Sequence, residues 1–189
     1  MKKATKFLLG IVLGILLLTP VSQVNADWQR DNVGWWYQPE FGSYYKDTEA
    51  QIDGKMYKFD ERGYMMTGWI SFGSTRYYLM PDGHMLTGWC SFGSTKYYLA
   101  SDGKMVRGWQ TIDGKRYYFN DDGVMQTGWQ TIDGKRYFFM PEGYMMRGWI
   151  SFGQTRYHLD ANGVMQTGWQ TISEKRYFFM PEGYMMRGW

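Results

Sequence analysis

A tryptophan, a cation and a second ring recur at constant spacing along this chain, and they are the residues with chemistry to offer. Trp69, Trp89, Trp109, Trp129, Trp149, Trp169 and Trp189 stand twenty residues apart. Seven residues after each of the first six comes Arg76, Lys96, Arg116, Arg136, Arg156 or Arg176, and two further on Tyr78, Tyr98, Tyr118, Phe138, His158 or Phe178. Indole and phenol faces pack on the apolar faces of sugar rings, or hold a cation by its attraction to the ring quadrupole, worth about 0.5–2 kcal/mol per contact. A guanidinium adds charge-assisted hydrogen bonds to phosphate or carboxylate. The competing use is internal: Arg116 stacks on Trp109 or Tyr118 and seals a seam of the protein. Weak equivalent sites repeated along a rod gain avidity on a polymer that itself repeats, which favours binding.

Catalysis fits these residues poorly. His84 and His158 occupy variable slots of the repeat, with no nucleophile, base and orienting group assembled around them. Asp82, Asp102, Asp122 and Glu142 sit in turn positions that turn geometry explains. Cys90 is the only cysteine, in a slot that holds Ile70, Gln110, Gln130, Ile150 or Gln170 elsewhere, so neither a disulfide nor a metal-ligand cluster is expected. These residues predict a non-catalytic protein with no metal and no cofactor.

The elements that position the rings follow from the turn residues. In the unit Gly108 to Thr127, Asp113-Gly114 is the dipeptide of a two-residue type I′ turn, in which both residues need φ > 0. Units carrying Gly73-Ser74 or Gly93-Ser94 show the glycine-first signature of type II′. Ser173-Glu174 offers neither, and its hairpin is expected to be the worst formed. The turn sets Trp109 opposite Tyr118, Gln110 opposite Tyr117, Thr111 opposite Arg116 and Ile112 opposite Lys115. Alternation then places Ile112, Tyr117 and Phe119 on a core face and Trp109, Thr111, Arg116 and Tyr118 on the other. On that division Trp109→Ala weakens binding with little loss of folding, whereas Tyr117→Ala unfolds its hairpin. No stretch shows a helical apolar period. The fold class expected is all-β, a β-hairpin solenoid of about seven 20-residue repeats behind an atypical cap, each unit burying its apolar surface against its neighbours.

The ends complete the domain reading: a signal peptide at residues 1–26, an N-terminal cap at 27–50 and the repeat solenoid at 51–189. Lys2, Lys3 and Lys6 precede the apolar run Phe7 to Leu18, and Val24-Asn25-Ala26 suits cleavage before Asp27. Removing the three leader lysines from 21 Lys+Arg leaves a balance with the 18 acids, so no nucleic-acid partner is expected, nor a membrane once the leader is cleaved. The stop at Trp189, where another hairpin would begin, reads as a truncation.

With its recurrent Gly-x-Met-x-x-Gly-Trp, as in Gly123 to Trp129, the chain resembles the choline-binding or cell-wall-binding repeat family over Gln51 to Trp189. The resemblance implies an exported cell-surface protein with ligand held between hairpins by the Gly-Trp tryptophan, a second tryptophan and a tyrosine. Carried over, the first wall is Trp69, Trp89, Trp109, Trp129, Trp149 or Trp169, and the tyrosine wall Tyr78, Tyr98, Tyr118, Phe138 or Phe178. Lys58 and His158 depart from that wall. The second tryptophan slot holds Met56, Arg76, Lys96, Arg116, Arg136, Arg156 and Arg176, and only Trp36 in the cap keeps the family residue. This Lys/Arg variant is similar to repeats of glucan-binding regions and toxin tails. A guanidinium wall repels a quaternary ammonium, so the expected partner is a cell-wall polymer, whether teichoic acid, peptidoglycan-linked polysaccharide or glucan, with Arg116 and Arg136 among its contacts. Choline on teichoic acid is the alternative ligand. The alternative role is the targeting part of an amidase-type peptidoglycan hydrolase whose catalytic domain lies outside this chain.

Overall fold

A two-residue turn leaves its hairpin a single register, and every repeat obeys it. The computed structural model describes residues 26–187; the leader up to residue 25 and Trp189 lie outside the described residues. Sixteen strands form eight separate antiparallel pairs, with no helix among the described residues. In the first half these are β1 (Asp27–Arg30) with β2 (Trp35–Gln38), β3 (Thr48–Ile52) with β4 (Lys55–Phe59), β5 (Gly68–Phe72) with β6 (Thr75–Leu79), and β7 (Gly88–Phe92) with β8 (Thr95–Leu99). The second half continues with β9 (Gly108–Ile112) and β10 (Lys115–Phe119), β11 (Gly128–Ile132) and β12 (Lys135–Phe139), β13 (Gly148–Phe152) and β14 (Thr155–Leu159), and β15 (Gly168–Ile172) and β16 (Lys175–Phe179).

The pairings Trp109–Tyr118, Gln110–Tyr117, Thr111–Arg116 and Ile112–Lys115 are those the turn dictates. Asp113 and Gly114 both take left-handed φ, 50° and 74°, whereas in Gly73-Ser74 only the glycine does, at 58°. The β15–β16 hairpin corrects the expectation for its turn. Ser173 and Glu174 accept φ of 48° and 65°, and all five pairs close. The strain, about 1–2 kcal/mol per left-handed residue, is outweighed because Tyr177 and Phe179 pack on Trp149 at 5.0 and 5.8 Å between centroids.

Successive hairpins are joined by one methionine each. Met145 donates its N–H to the Arg116 carbonyl at 2.7 Å, and Met105, Met125, Met165 and Met185 do the same to Arg76, Lys96, Arg136 and Arg156. The methionine side chain lies against the loop glycine of the following unit: a Cβ on Gly123, whose φ is 79°, would stand 2.5 Å from the Met105 side chain. Phe119, Phe139 and Phe179, with Leu79, Leu99 and Leu159, are fully buried and form the line of core residues.

Between β1 and β2 the cap follows the same plan with one residue of slip. Trp28 pairs with Tyr37 and meets Tyr57 and Phe59 at 4.8 and 5.9 Å, as Trp109 pairs with Tyr118 and meets Tyr137 and Phe139 at 4.9 and 5.7 Å. Met65 reaches the carbonyl of Trp35, not that of Trp36. Counting by twenty therefore misassigns the cap: Trp35, rather than Trp36, stands in the second tryptophan slot. A polar latch holds the slipped hairpin in place. The Asp31 carboxylate accepts from the N–H groups of Val33 and Gly34 at 2.8 and 3.0 Å and from the Tyr64 hydroxyl at 2.8 Å, and these bonds, that from Gly34 first, hold it below the usual carboxylate range.

Candidate ligand sites along the hairpin seams

The face carrying Trp109 and Tyr118 is covered by the core face of the next hairpin, so each candidate site is also a seam. Within one hairpin the ring pairs Trp69–Tyr78, Trp89–Tyr98, Trp109–Tyr118, Trp129–Phe138 and Trp149–His158 meet edge to face and Trp169–Phe178 is tilted, all with centroids between 5.0 and 5.3 Å apart. Across the seam Trp69, Trp89, Trp109, Trp129 and Trp149 meet Tyr97, Tyr117, Tyr137, Tyr157 and Tyr177 at 4.9 to 5.1 Å. Trp109 is thus both a stacking residue and a candidate wall.

The arginines decide which indole faces remain accessible. Arg76, Arg116, Arg136, Arg156 and Arg176 each lay the guanidinium over the tryptophan of their own hairpin, at 4.5 to 4.9 Å from the ring centroid. The internal use of the cation is the one realised, with the protein's own guanidinium on the face that a ligand cation would take. In two units a phenylalanine of the next hairpin adds cover: Phe92 lies 4.5 Å from Tyr78 and 5.6 Å from Trp69, and Phe152 lies 5.1 Å from Phe138.

Three hairpins lack an arginine in that slot. In β3–β4 an ion pair replaces the ring pair, Lys58 Nζ donating to Glu49 at 2.6 Å while lying 4.5 Å over Tyr77 and 4.9 Å over Phe72. The other two open into cavities of one design. At the cap, Trp28, Trp35, Tyr57, Met65, Pro81 and Asp82 line about 320 Å³. At β7–β8, Trp89, Cys90, Ser91, Lys96, Tyr117 and Glu142 line about 420 Å³. Trp28 and Trp89, Trp35 and Lys96, Tyr57 and Tyr117, and Asp82 and Glu142 are equivalent pairs once the cap slip is counted. Each cavity draws on three consecutive hairpin units. Asp82 carries its charge next to Lys55 at 3.7 Å and His84 at 2.6 Å, while Arg30 stacks on Trp35 at 5.4 Å without lining the cavity.

Spacing placed the tryptophans and their paired rings but not the other residues that line the two cavities. Trp28 was legible as a ring nine residues before Tyr37, the separation of Trp109 from Tyr118. Asp82 and Glu142 look like turn residues in sequence, and only the stacking brings them to a tryptophan two units away. His158 takes the second-ring slot with Nδ1 buried and unpartnered, and burial lowers its pKa below 6.5 against the opposing pull of Asp160. Burial likewise raises the pKa of the Cys90 thiol. No group of three or more potential metal ligands occurs among the described residues.

Residues 66–107, 106–129 and 126–167 match the choline-binding repeat, and residues 167–185 match the putative cell wall binding repeat. CbpJ from Streptococcus pneumoniae TIGR4 superposes with a TM-score of 0.76 at 33% identity, over 81% of this chain and 56% of that one. Choline binding protein F from Streptococcus pneumoniae gives 0.73 at 32% identity, over 80% and 55%. The choline-binding domain of CbpL from the same organism gives 0.61 at 28% identity, over 86% and 87%. The chain spans about half the length of the CbpJ and choline binding protein F chains. A search of curated proteins finds no match. The repeat matches fall on the very units whose tryptophans form the seams, and the chain belongs to the choline-binding repeat family.

Proposed function

We propose that this module attaches to a choline-bearing polymer of the bacterial cell wall, and that the cap cavity of Trp28, Trp35 and Tyr57 holds the quaternary ammonium. The observation that carries this is the cavity itself: it keeps two tryptophans and a tyrosine around about 320 Å³ with the Asp82 carboxylate on its rim. Three aromatic faces at about 0.5–2 kcal/mol each, with a carboxylate beside them, suit a cation that makes no hydrogen bonds. Lysine and arginine in the second tryptophan slot argue for a sugar polymer instead, but those arginines are engaged on their own tryptophans, and Arg30, which stacks on Trp35 at 5.4 Å, does not line the cap cavity. Residues 1–26 then act as the export leader, which puts the module at the cell surface, where it binds and does not catalyse.

A second reading, in which the module targets a longer wall hydrolase, is favoured by the modular autolysin LytC from Streptococcus pneumoniae. That structure matches over 86% of this chain and 39% of its own at 28% identity, with a TM-score of 0.56.

Chromatography of the full chain on immobilised choline tests the first reading. Retention and elution by free choline are expected, with Trp35→Ala weakening the interaction about tenfold while the circular dichroism is unchanged. Trp35 suits this test because it is 41% exposed and makes no seam contact like that of Trp28. Unchanged retention of Trp35→Ala, or elution by salt alone, overturns it.

A further inference from the structure

Asp82 supplies the carboxylate of the cap cavity, and two side chains hold it. Its Oδ1 lies 2.6 Å from Nδ1 of His84 and its Oδ2 lies 3.7 Å from Nζ of Lys55. Burial raises the Asp82 pKa, but the hydrogen bond and charge of His84, with the charge of Lys55, bring it below the usual carboxylate range, so the group stays ionised from pH 8 to pH 5. An ionised oxygen only accepts, so His84 Nδ1 carries a proton whether the ring is neutral or an imidazolium. The contact thus survives a change of pH, while its charge does not. The equivalent loop position holds Tyr64, Lys104, Val124, Tyr144, Val164 and Tyr184 in the other units. Lys104 pairs with Asp102 at 2.7 Å as a permanent cation, whereas a histidine gains and loses its charge between pH 5 and 8. The other charged or titratable groups around Asp82 among the described residues come from the preceding hairpin. Lys55 and Asp53 are of types that stay charged over that range, and Tyr57 stays neutral, its pKa raised by burial and by the charges of Asp82 and Asp53. One ring therefore sets the net charge about the carboxylate.

We infer that His84 is the positioning residue of the cap site: its Nδ1–H holds the Asp82 carboxylate at the cavity, and its protonation cancels the pull of that carboxylate on a bound cation, so that the cap holds its ligand at neutral pH and weakly in acid. With His84 neutral, one anion faces one cation, Lys55. With His84 protonated, two cations face the same anion, and an entering cation meets a net positive charge. A quaternary ammonium has no N–H with which to displace the imidazolium from Asp82, so it competes by charge only. The interior seams carry no such control, because the guanidinium over each of their tryptophans stays charged at every relevant pH. The inference rests on the reading of the cap as an ammonium site, and it adds regulation of that site by a residue outside the cavity lining.

The test titrates the full chain with choline chloride at steps from pH 8 to pH 5 and takes as the cap signal the binding that Trp35→Ala removes. One added positive charge beside a half-exposed carboxylate should weaken that binding by roughly three- to tenfold across the range. By reciprocity, saturating choline should lower the proton affinity of the His84 ring, read by its NMR titration, by the same factor. His84→Asn, which keeps an N–H beside Asp82, should bind more tightly at pH 8 than His84→Leu, and both should give flat profiles, which loss of packing by itself would not produce. The chain has two histidines, and His158→Phe, in a distant hairpin, should keep the profile. A flat profile in the unmodified chain with cap binding intact, an unchanged profile in His84→Asn, or a profile lost in His158→Phe overturns the role of His84 and leaves the cap reading standing. Absence of any Trp35-dependent choline binding at every pH overturns the cap reading and this inference together.

Discussion

The slot seven residues after each seam tryptophan decides what the neighbouring indole meets. Arginine lies over its own tryptophan, Lys96 lines a cavity with Trp89 and Glu142, and Trp35 lines one with Trp28 and Tyr57. His158 makes a comparable point in the neighbouring slot. Its imidazole stands where other units place tyrosine or phenylalanine, 5.0 Å from Trp149, with Nδ1 buried and unbonded. Burial lowers its folded-state pKa below the ordinary 6.5, so the unfolded chain binds the proton more readily. The stability it contributes is fully present above pH 6.5 and is lost as pH falls through that value toward the lower folded pKa. Thermal midpoints measured from pH 8 to pH 5 should fall on the acid side. His158→Phe should remove that part of the slope; an identical slope in the variant would place the acid sensitivity elsewhere.

At the scale of the element, the turn is what makes each hairpin. Asp-Gly and Gly-Ser reach the same register by different φ patterns, and Ser173-Glu174 reaches it under strain. Replacing Ser173-Glu174 by the Asp-Gly of Asp113-Gly114 should stabilise the last hairpin by about 1–2 kcal/mol. Amide exchange in β15 and β16 is the measurement, and slowed exchange confined to that hairpin is the expected result. No change would mean that the side chains of Ser173 and Glu174 compensate locally for their backbone.

Over the whole molecule the stack is one-dimensional, each hairpin held by its neighbours through a tryptophan on one side and a methionine on the other. Trp109 sits mid-chain and touches Tyr118, Tyr137 and Phe139. Removing it therefore takes away packing on both sides of a seam, contrary to the expectation that Trp109→Ala costs little folding. Trp109→Ala should cost about 3 kcal/mol, the low end for a large ring because this one is half-buried. Calorimetry should show the single transition split in two as the hairpins before and after Trp109 uncouple. A single transition at unchanged temperature would return Trp109 to the surface.

Local chemistry was readable from residue order. The twenty-residue period, the two turn types, the pairing of Trp109 with Tyr118 and the division into two faces all depend on near neighbours, and the structure repeats them unit after unit. What spacing could not supply involves residues far apart in the chain. The cap slips by one residue because Met65 bonds to Trp35, and no count by twenty anticipates an interruption in the count. Arg116 lies over Trp109, whose ring also meets Tyr137 of the next hairpin, a contact that the order within one hairpin does not contain. Asp82 and Glu142 come to line cavities beside the tryptophans only when three hairpins stack. Sequence periodicity decides what a hairpin is, whereas tertiary contact decides which seams can hold a ligand, since access to each ring is set by side chains from neighbouring units.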